Sequence, residues 1–179
     1  LWVADTSNHR ILRFANVSSK PSGALADGIL GQAAFNTNFF GPTTNNLREP
    51  FGIAIDSAGR LWVADSMNHR VLRYDDPVDL ADANGGPASA VLGQPDFGSA
   101  ATVVSATGMN SPYGLLPFAD GTLWIGDFGN RRILGYRNAA AKANGAAADL
   151  VLGQPDFITN GTVVTASRLS SPAFFVAAP

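Results

Sequence analysis

The sequence predicts an all-β protein, a β-propeller built from four-stranded antiparallel blades, with about three blades present as an open arc. Three observations carry this. The segment LWVADTSNHRILRF at 1–14 recurs without gaps as LWVADSMNHRVLRY at 61–74 and LWIGDFGNRRILGY at 123–136, a period of 60 and then 62 residues. Self-similarity on this scale is the signature of solenoids, propellers and arrays. The first four residues of each copy are apolar on both faces of a strand, where a strand with one wet face would alternate. The composition favours strands and turns over helices: 10 Arg stand against 2 Lys and 13 Asp against a single Glu, with 19 Gly and 11 Pro. Exposed helices favour Lys and Glu, whereas Asp, Asn, Gly and Ser serve turns.

The middle copy shows the unit. Strand a runs from Phe51 to Asp56 and ends at the turn Ser57–Arg60; strand b is Leu61–Asp65, strand c Val71–Tyr74, and strand d Ala88–Gly93. Each is short, apolar, rich in β-branched or aromatic residues, and bounded by turn residues. In strand b, Leu61 and Val63 face one way and Trp62 and Ala64 the other. Such a strand is buried on both sides, as when sheets stack radially around an axis. Trp2, Trp62 and Trp124 share one position in it and read as wedges between blades.

Two further blocks recur. ILGQAAF (29–35), VLGQPDF (91–97) and VLGQPDF (151–157) carry strand d, and EPFGIAID (49–56), SPYGLLPF (111–118) and SPAFFVAA (171–178) carry strand a. The expected boundaries are a partial blade b-c-d with its connection at 1–49, full blades at 50–111 and 112–171, and the first strand of the next blade at 172–179. Phe35–Pro50, Phe97–Pro112 and Phe157–Pro172 each span fifteen residues, whereas Leu12–Leu30, Leu72–Leu92 and Leu134–Leu152 span eighteen, twenty and eighteen. All length variation therefore sits in the c–d connections, where a segment such as Asn138–Gly145 has room for a helical turn. The metrically regular b–c turns and d–a connections share the opposite face. Propellers have roughly four to eight blades, so three blades read as part of a larger ring, with further blades expected and two unpaired apolar blade faces prone to associate.

The runs Pro50-Phe-Gly-Ile-Ala-Ile-Asp56, Leu61-Trp-Val-Ala-Asp65 and Asn68-His-Arg-Val-Leu-Arg73 resemble the NHL repeat, and the Val-Leu-Gly-Gln-Pro-Asp-Phe block resembles its long-repeat bacterial branch. The resemblance covers all three copies. It implies a propeller of about six blades. Among the functions it implies are protein and RNA binding, sensing in bacterial receptor kinases, and a metal-dependent peptidyl-amidoglycolate lyase. The third copy departs from the pattern with Asn130-Arg131-Arg132 where His is usual, and the last strand a has Phe174 where Gly52 and Gly114 stand.

Composition bounds the function classes. No apolar run reaches the 18 or more residues of a membrane span. Zero Cys excludes disulfides, iron–sulfur clusters, Cys zinc sites and a Cys nucleophile, and suits an extracytoplasmic or secreted location. The formal net charge is -2 and no basic run exceeds Arg131-Arg132, so nucleic acid is disfavoured.

The chemistry-bearing residues each have a bland reading and a functional one. Asp5, Asp65 and Asp127 end strand b three residues before Asn8, Asn68 and Asn130, with Arg10, Arg70 and Arg132 close behind. A ring of carboxylates suits a cation, but recurrence in every copy favours a turn staple: Asp accepting the turn's backbone N–H groups, Asn or Gly129 supplying positive φ, Arg pairing with a carboxylate. His9 and His69 occupy one repeat position and Arg131 fills the third, a cation where a metal is least welcome; a lyase-type zinc site also needs more than two ligands. Asp75, Asp76, Asp79 and Asp82 cluster in the longest c–d connection, an oxygen-rich Ca²⁺ candidate without EF-hand spacing. The default expectation is no cofactor. No Gly-x-Ser-x-Gly elbow or phosphate loop occurs. The residues that break the repeat, Arg48-Glu49, Asp120, Phe39-Phe40 and Met67, form no acid–base pair.

The expectation is a binding scaffold with no catalytic residues, meeting a protein, peptide or surface-polysaccharide partner through the d–a and b–c loop face. The candidate residues there are Asn8, His9, Phe39, Phe40, Asn68, His69, Asn130 and Arg131. A metal-dependent lyase or hydrolase, or a structural domain of a large secreted protein, are the alternatives.

Overall fold

The computed structural model describes residues 1–82, 84–163 and 165–176. Eleven strands among these form three antiparallel sheets, each joined in chain order. The first holds β1 (Trp2–Asp5), β2 (Arg10–Arg13) and β3 (Gly28–Leu30). The second holds β4 (Pro50–Ile55), β5 (Leu61–Asp65), β6 (Arg70–Tyr74) and β7 (Ala90–Leu92). The third repeats the second as β8 (Pro112–Pro117), β9 (Leu123–Asp127), β10 (Arg132–Tyr136) and β11 (Leu150–Leu152). The sheets stack side by side as propeller blades and do not close into a ring.

The second strand of each blade explains the stacking. Every residue of β5 is buried, because its two faces feed two seams. Leu61 and Val63 join Ile11, Leu30 and Leu47 in the first seam. Trp62 turns into the second, against Leu123, Ile125 and Leu134. At about 1.5–3 kcal/mol per fully buried large apolar side chain, these two clusters are the main source of blade adhesion.

Strand a lies innermost and is bulged, with register shifts between Pro50 and Ile53 and between Pro112 and Leu115. The bulge brings neighbouring blades into backbone contact. A Cβ on Gly52 would lie 1.8 Å from the carbonyl oxygen of Tyr113, so only glycine fits there.

The structure corrects several sequence-based boundaries. Strand a starts at Pro50 and strand c at Arg70, one residue early, and strand d is confined to Ala90–Leu92. The longest c–d connection holds a helix, α1 (Pro77–Asp82), where the other two carry 3₁₀ turns at Val17–Ser19 and Ala139–Ala141. Pro77 opens α1, a position that does not need its missing N–H, and Leu80 and Ala81 pack into the first seam. The acidic cluster is partly neutralised: Arg73 pairs with Asp75 and Arg13 with Asp82.

Of the strand expected at 172–179, residues 177–179 lie outside the described residues, and 172–176 form no strand. Their chain still runs where a strand a would. The carbonyl of Ala173 would lie 2.5 Å from a Cβ on Gly114, as Tyr113 approaches Gly52. In both four-stranded sheets strand a is held by strand b of its own blade.

Candidate interaction face

Each b–c turn is a 3₁₀ turn of three residues followed by one residue in the left-handed region: His9, His69 or Arg131, with φ of 56°, 55° and 56°. This corrects the expectation that Asn8, Asn68 or Gly129 would supply the positive φ. The Asn side chains serve the carboxylate instead. Asn68 Nδ2 donates to Asp65 Oδ2 at 2.9 Å, Arg70 Nε donates to the same oxygen at 2.7 Å, and the backbone N–H of Arg48 donates to Oδ1 at 2.6 Å. Asp127 repeats the set with Asn130, Arg132 and the N–H of Asn110, at 2.9, 2.7 and 2.7 Å. The carboxylate therefore grips the connection entering its own blade as well as its own turn. Asp5 accepts from Asn8 and Arg10 but is part-exposed.

Arg70 and Arg132 are fully buried, and their ion pairs with Asp65 and Asp127 have no exposed side-chain surface. Arg70 extends the staple: its Nη1 donates to Phe97 O, and its Nη2 to Thr43 O and Asn46 O at 2.8 and 3.0 Å. Arg132 ties Phe157, Ser105 and Gly108 in the same way. Each guanidinium thus locks the d–a connections before and after its blade. Burial pushes the Asp65 and Asp127 carboxyls up, opposed first by the adjacent guanidinium.

A second clamp comes from the Leu-Gly-Gln block, whose role sequence reasoning missed although its recurrence was the signal. Gln32 Nε2 donates to His9 O and Phe39 O at 3.1 and 2.6 Å, and its Oε1 accepts the N–H of Phe39 at 3.1 Å. Gln94 makes the same three bonds to His69 O and both backbone groups of Ala101. Gln154 donates to Arg131 O and Gly161 O, and Arg168 takes its Oε1. The three amides thus pin one loop position, occupied by Phe39, Ala101 or Gly161.

The histidines pin the seams. His9 Nδ1 accepts the N–H of Glu49 and His69 Nδ1 that of Ser111, both at 3.1 Å. Glu49 and Ser111 have φ of 47° and 50° and immediately precede strand a of the next blade. Arg131 has no lone pair for that task and instead donates to Asn160 O at 3.1 Å.

The predicted binding residues therefore separate. Asn68 and Asn130 are each 1% exposed and belong to the buried staples, which corrects their placement on the loop face. Asn8 is exposed, and His9, His69 and Arg131 are half-buried. Phe39 and Phe40 are 71% and 59% exposed. Phe40 rests edge-on against His9 at 5.0 Å and carries the Arg48 guanidinium 5.2 Å from its ring centre. Sequence reasoning also missed a stacked row crossing the second seam: Phe51 on Tyr113 at 4.4 Å and Tyr113 on Phe128 at 4.5 Å. Among the described residues no group of three or more His, Cys, Asp or Glu is placed to hold a metal ion. No described helix is long and apolar enough to cross a membrane.

Compared with known families, residues 47–74 match the NHL repeat, a propeller-forming repeat. The match covers β4, β5 and β6, with Arg48, Asp65, Asn68, His69 and Arg70 inside it. No curated protein matches the chain.

Proposed function

We propose that the protein is an interaction scaffold that presents its d–a and b–c loop face to a protein or peptide, with Phe39 and Phe40 as the contact. One observation carries this reading. The Gln32 amide fixes the backbone of Phe39 from both sides, yet its ring is 71% exposed. The same pinned position holds Ala101 and Gly161 in the other blades, so the fold itself does not require an aromatic ring there. An exposed ring on a rigid backbone loses little conformational entropy on binding, the property that makes aromatic anchors effective at interfaces. The buried Asp–Arg staples support the reading by holding the loops on a rigid frame. The NHL repeat supports it at the level of class.

The test is selection of phage-displayed peptides on the immobilised protein. Clones are expected that bind the native chain and lose at least tenfold affinity for the Phe39→Ser, Phe40→Ser double variant. Clones that bind both proteins equally would overturn the assignment. A parallel glycan array distinguishes the other partner class: saturable glycan binding lost in the same variant would replace the peptide reading.

A further inference from the structure

Two pairs of residues break the repeat, Phe39-Phe40 and Arg48-Glu49, and the fold brings them together. Phe39 and Phe40 match Ala101 and Thr102 of the second blade, and Arg48 matches Asn110. The second blade has a neighbour on each side, and Ala101 and Thr102 are exposed there too. The exposure of the two rings therefore belongs to the loop position. Arg48 holds its place through its backbone: its N–H donates to Asp65 Oδ1 at 2.6 Å, and its carbonyl accepts the N–H of Met67 at 3.1 Å. Asn110 makes the same two backbone bonds, to Asp127 and from Gly129, at 2.7 and 2.8 Å. The fold therefore asks for no cation at this position.

The Arg48 guanidinium lies on the ring of Phe40, 5.2 Å from its centre, and that ring leans edge-on against His9 at 5.0 Å. Arg10, Arg70 and Arg132 each pair with an Asp, whereas among the described residues the Arg48 guanidinium enters no ion pair. A guanidinium stacked on a ring keeps the N–H fork at its edge free, and that fork matches a carboxylate through two parallel bonds. His9 and His69 both accept a backbone N–H at Nδ1, which keeps them neutral. Burial, and then the nearby Arg48 charge, hold the His69 pKa down, so no second cation forms beside the first. Of the nearby acids, Asp65 is buried on Arg70, and Glu49 pairs with no cation among the described residues.

We infer that this face reads a side-chain carboxylate next to an apolar residue in its partner peptide. The apolar side chain packs on Phe39 and Phe40, and the carboxylate takes the Arg48 fork. This rests on the reading of Phe39 and Phe40 as the contact, and adds the charge of what they meet. A carboxylate suits the site better than a phosphate does. A phosphate carries a charge of about −1.5 to −2 near neutral pH, and the single guanidinium, with two neutral imidazoles beside it, would leave much of that uncompensated. The fork is already seated on a ring and its backbone is bonded on both sides, so little freedom is lost on binding.

An array of short synthetic peptides probed with the purified protein tests this. Each peptide is present in four forms that differ at one position: Asp or Glu, the matching amide, phosphoserine, and Lys. Peptides whose binding is lost in the Phe39→Ser, Phe40→Ser variant report on the face. Among these, the acidic form is expected to bind about tenfold tighter than the amide, and Arg48→Gln is expected to abolish that difference while leaving the amide form unchanged. Arg48→Lys keeps the charge without the fork and is expected to retain only part of the preference. Glu49→Gln is expected to keep or increase it. Arg48→Gln leaves both backbone bonds in place, so its thermal midpoint at neutral pH is expected to match that of the native protein. Face-dependent peptides whose acidic form binds Arg48→Gln as tightly as the native protein would overturn the carboxylate and leave the aromatic contact standing. Tighter binding of the phosphoserine form, or a preference for Lys that Glu49→Gln removes, would overturn it in favour of a phosphate or a cation. An array with no face-dependent peptide would overturn both readings.

Discussion

The imidazole of His69 accepts the backbone N–H of Ser111 through Nδ1 at 3.1 Å, across the seam between the second and third blades. An acceptor at Nδ1 places the neutral ring's proton on Nε2. Protonation would turn the acceptor into a donor aimed at a donor.

This gives the fold a pH dependence of defined sign. Burial first, and then the Arg48 guanidinium, hold the His69 pKa below the ordinary 6.5. A histidine with a lowered pKa in the folded state favours folding while neutral. Its contribution is complete above the unfolded value and is lost as pH falls below 6.5 through the folded value. The thermal midpoint is expected to drop over that acidic window, and less steeply in His69→Asn. At neutral pH His69→Ala is expected to cost about 1 kcal/mol for the lost hydrogen bond. Equal acid slopes in the native and Asn proteins would contradict this.

The Asp–Arg staple is expected to depend on burial more than on the pair itself. Arg70→Met leaves the Asp65 carboxylate buried with its main counter-charge gone, and three loop carbonyls lose a donor. Removing one partner of a buried pair costs about 3–5 kcal/mol. Arg10→Met removes the same interaction where both side chains are part-exposed, and exposed pairs are worth up to about 1 kcal/mol. Urea denaturation of the two variants is expected to show that ratio.

Gln94 is expected to matter for loop order. Its amide satisfies the backbone of Ala101 from both sides and also caps His69 O. Gln94→Leu keeps the bulk and removes the bonds. The Ala101 amide is then expected to exchange hydrogen at least tenfold faster, while the β5 and β6 amides keep their protection. Unchanged exchange at Ala101 would show that the loop is held by other contacts.

Much of this was legible in the sequence because the fold repeats. Strand b announces itself through a run with no polar face, and its burial on both sides follows directly. The Asp, Asn and Arg positions were legible as a staple, but the partners were not: the N–H that Asp65 accepts comes from Arg48, seventeen residues upstream, and local turn logic looks only within the turn. The left-handed residue was misplaced for a related reason. Asn and Gly tolerate positive φ best when isolated, but here the fold claims the Asn amide for a buried carboxylate, and the strain falls on His69, whose ring is compensated by the next blade. The helix at Pro77–Asp82 reflects only two extra residues, too small a signal to distinguish from a loop. Gln32, Gln94 and Gln154 recurred in plain view, but their meaning lies in long-range bonds that spacing does not reveal.

The contact between neighbouring inner strands yields the last prediction. A Cβ at Gly52 would meet the Tyr113 carbonyl oxygen at 1.8 Å, and one at Gly114 the Ala173 carbonyl oxygen at 2.5 Å. Tyr113 lies in the bulge of β8, between Pro112 and Leu115, which both pair with β9, so that backbone is anchored on either side. Ala173 lies in a segment with no strand pairing, so it yields by shifting outward. Overpacking costs typically 1–3 kcal/mol where a core does not relax. Gly52→Ala is therefore expected to cost about 3 kcal/mol or more and Gly114→Ala about 1 kcal/mol or less, as read by denaturant midpoint.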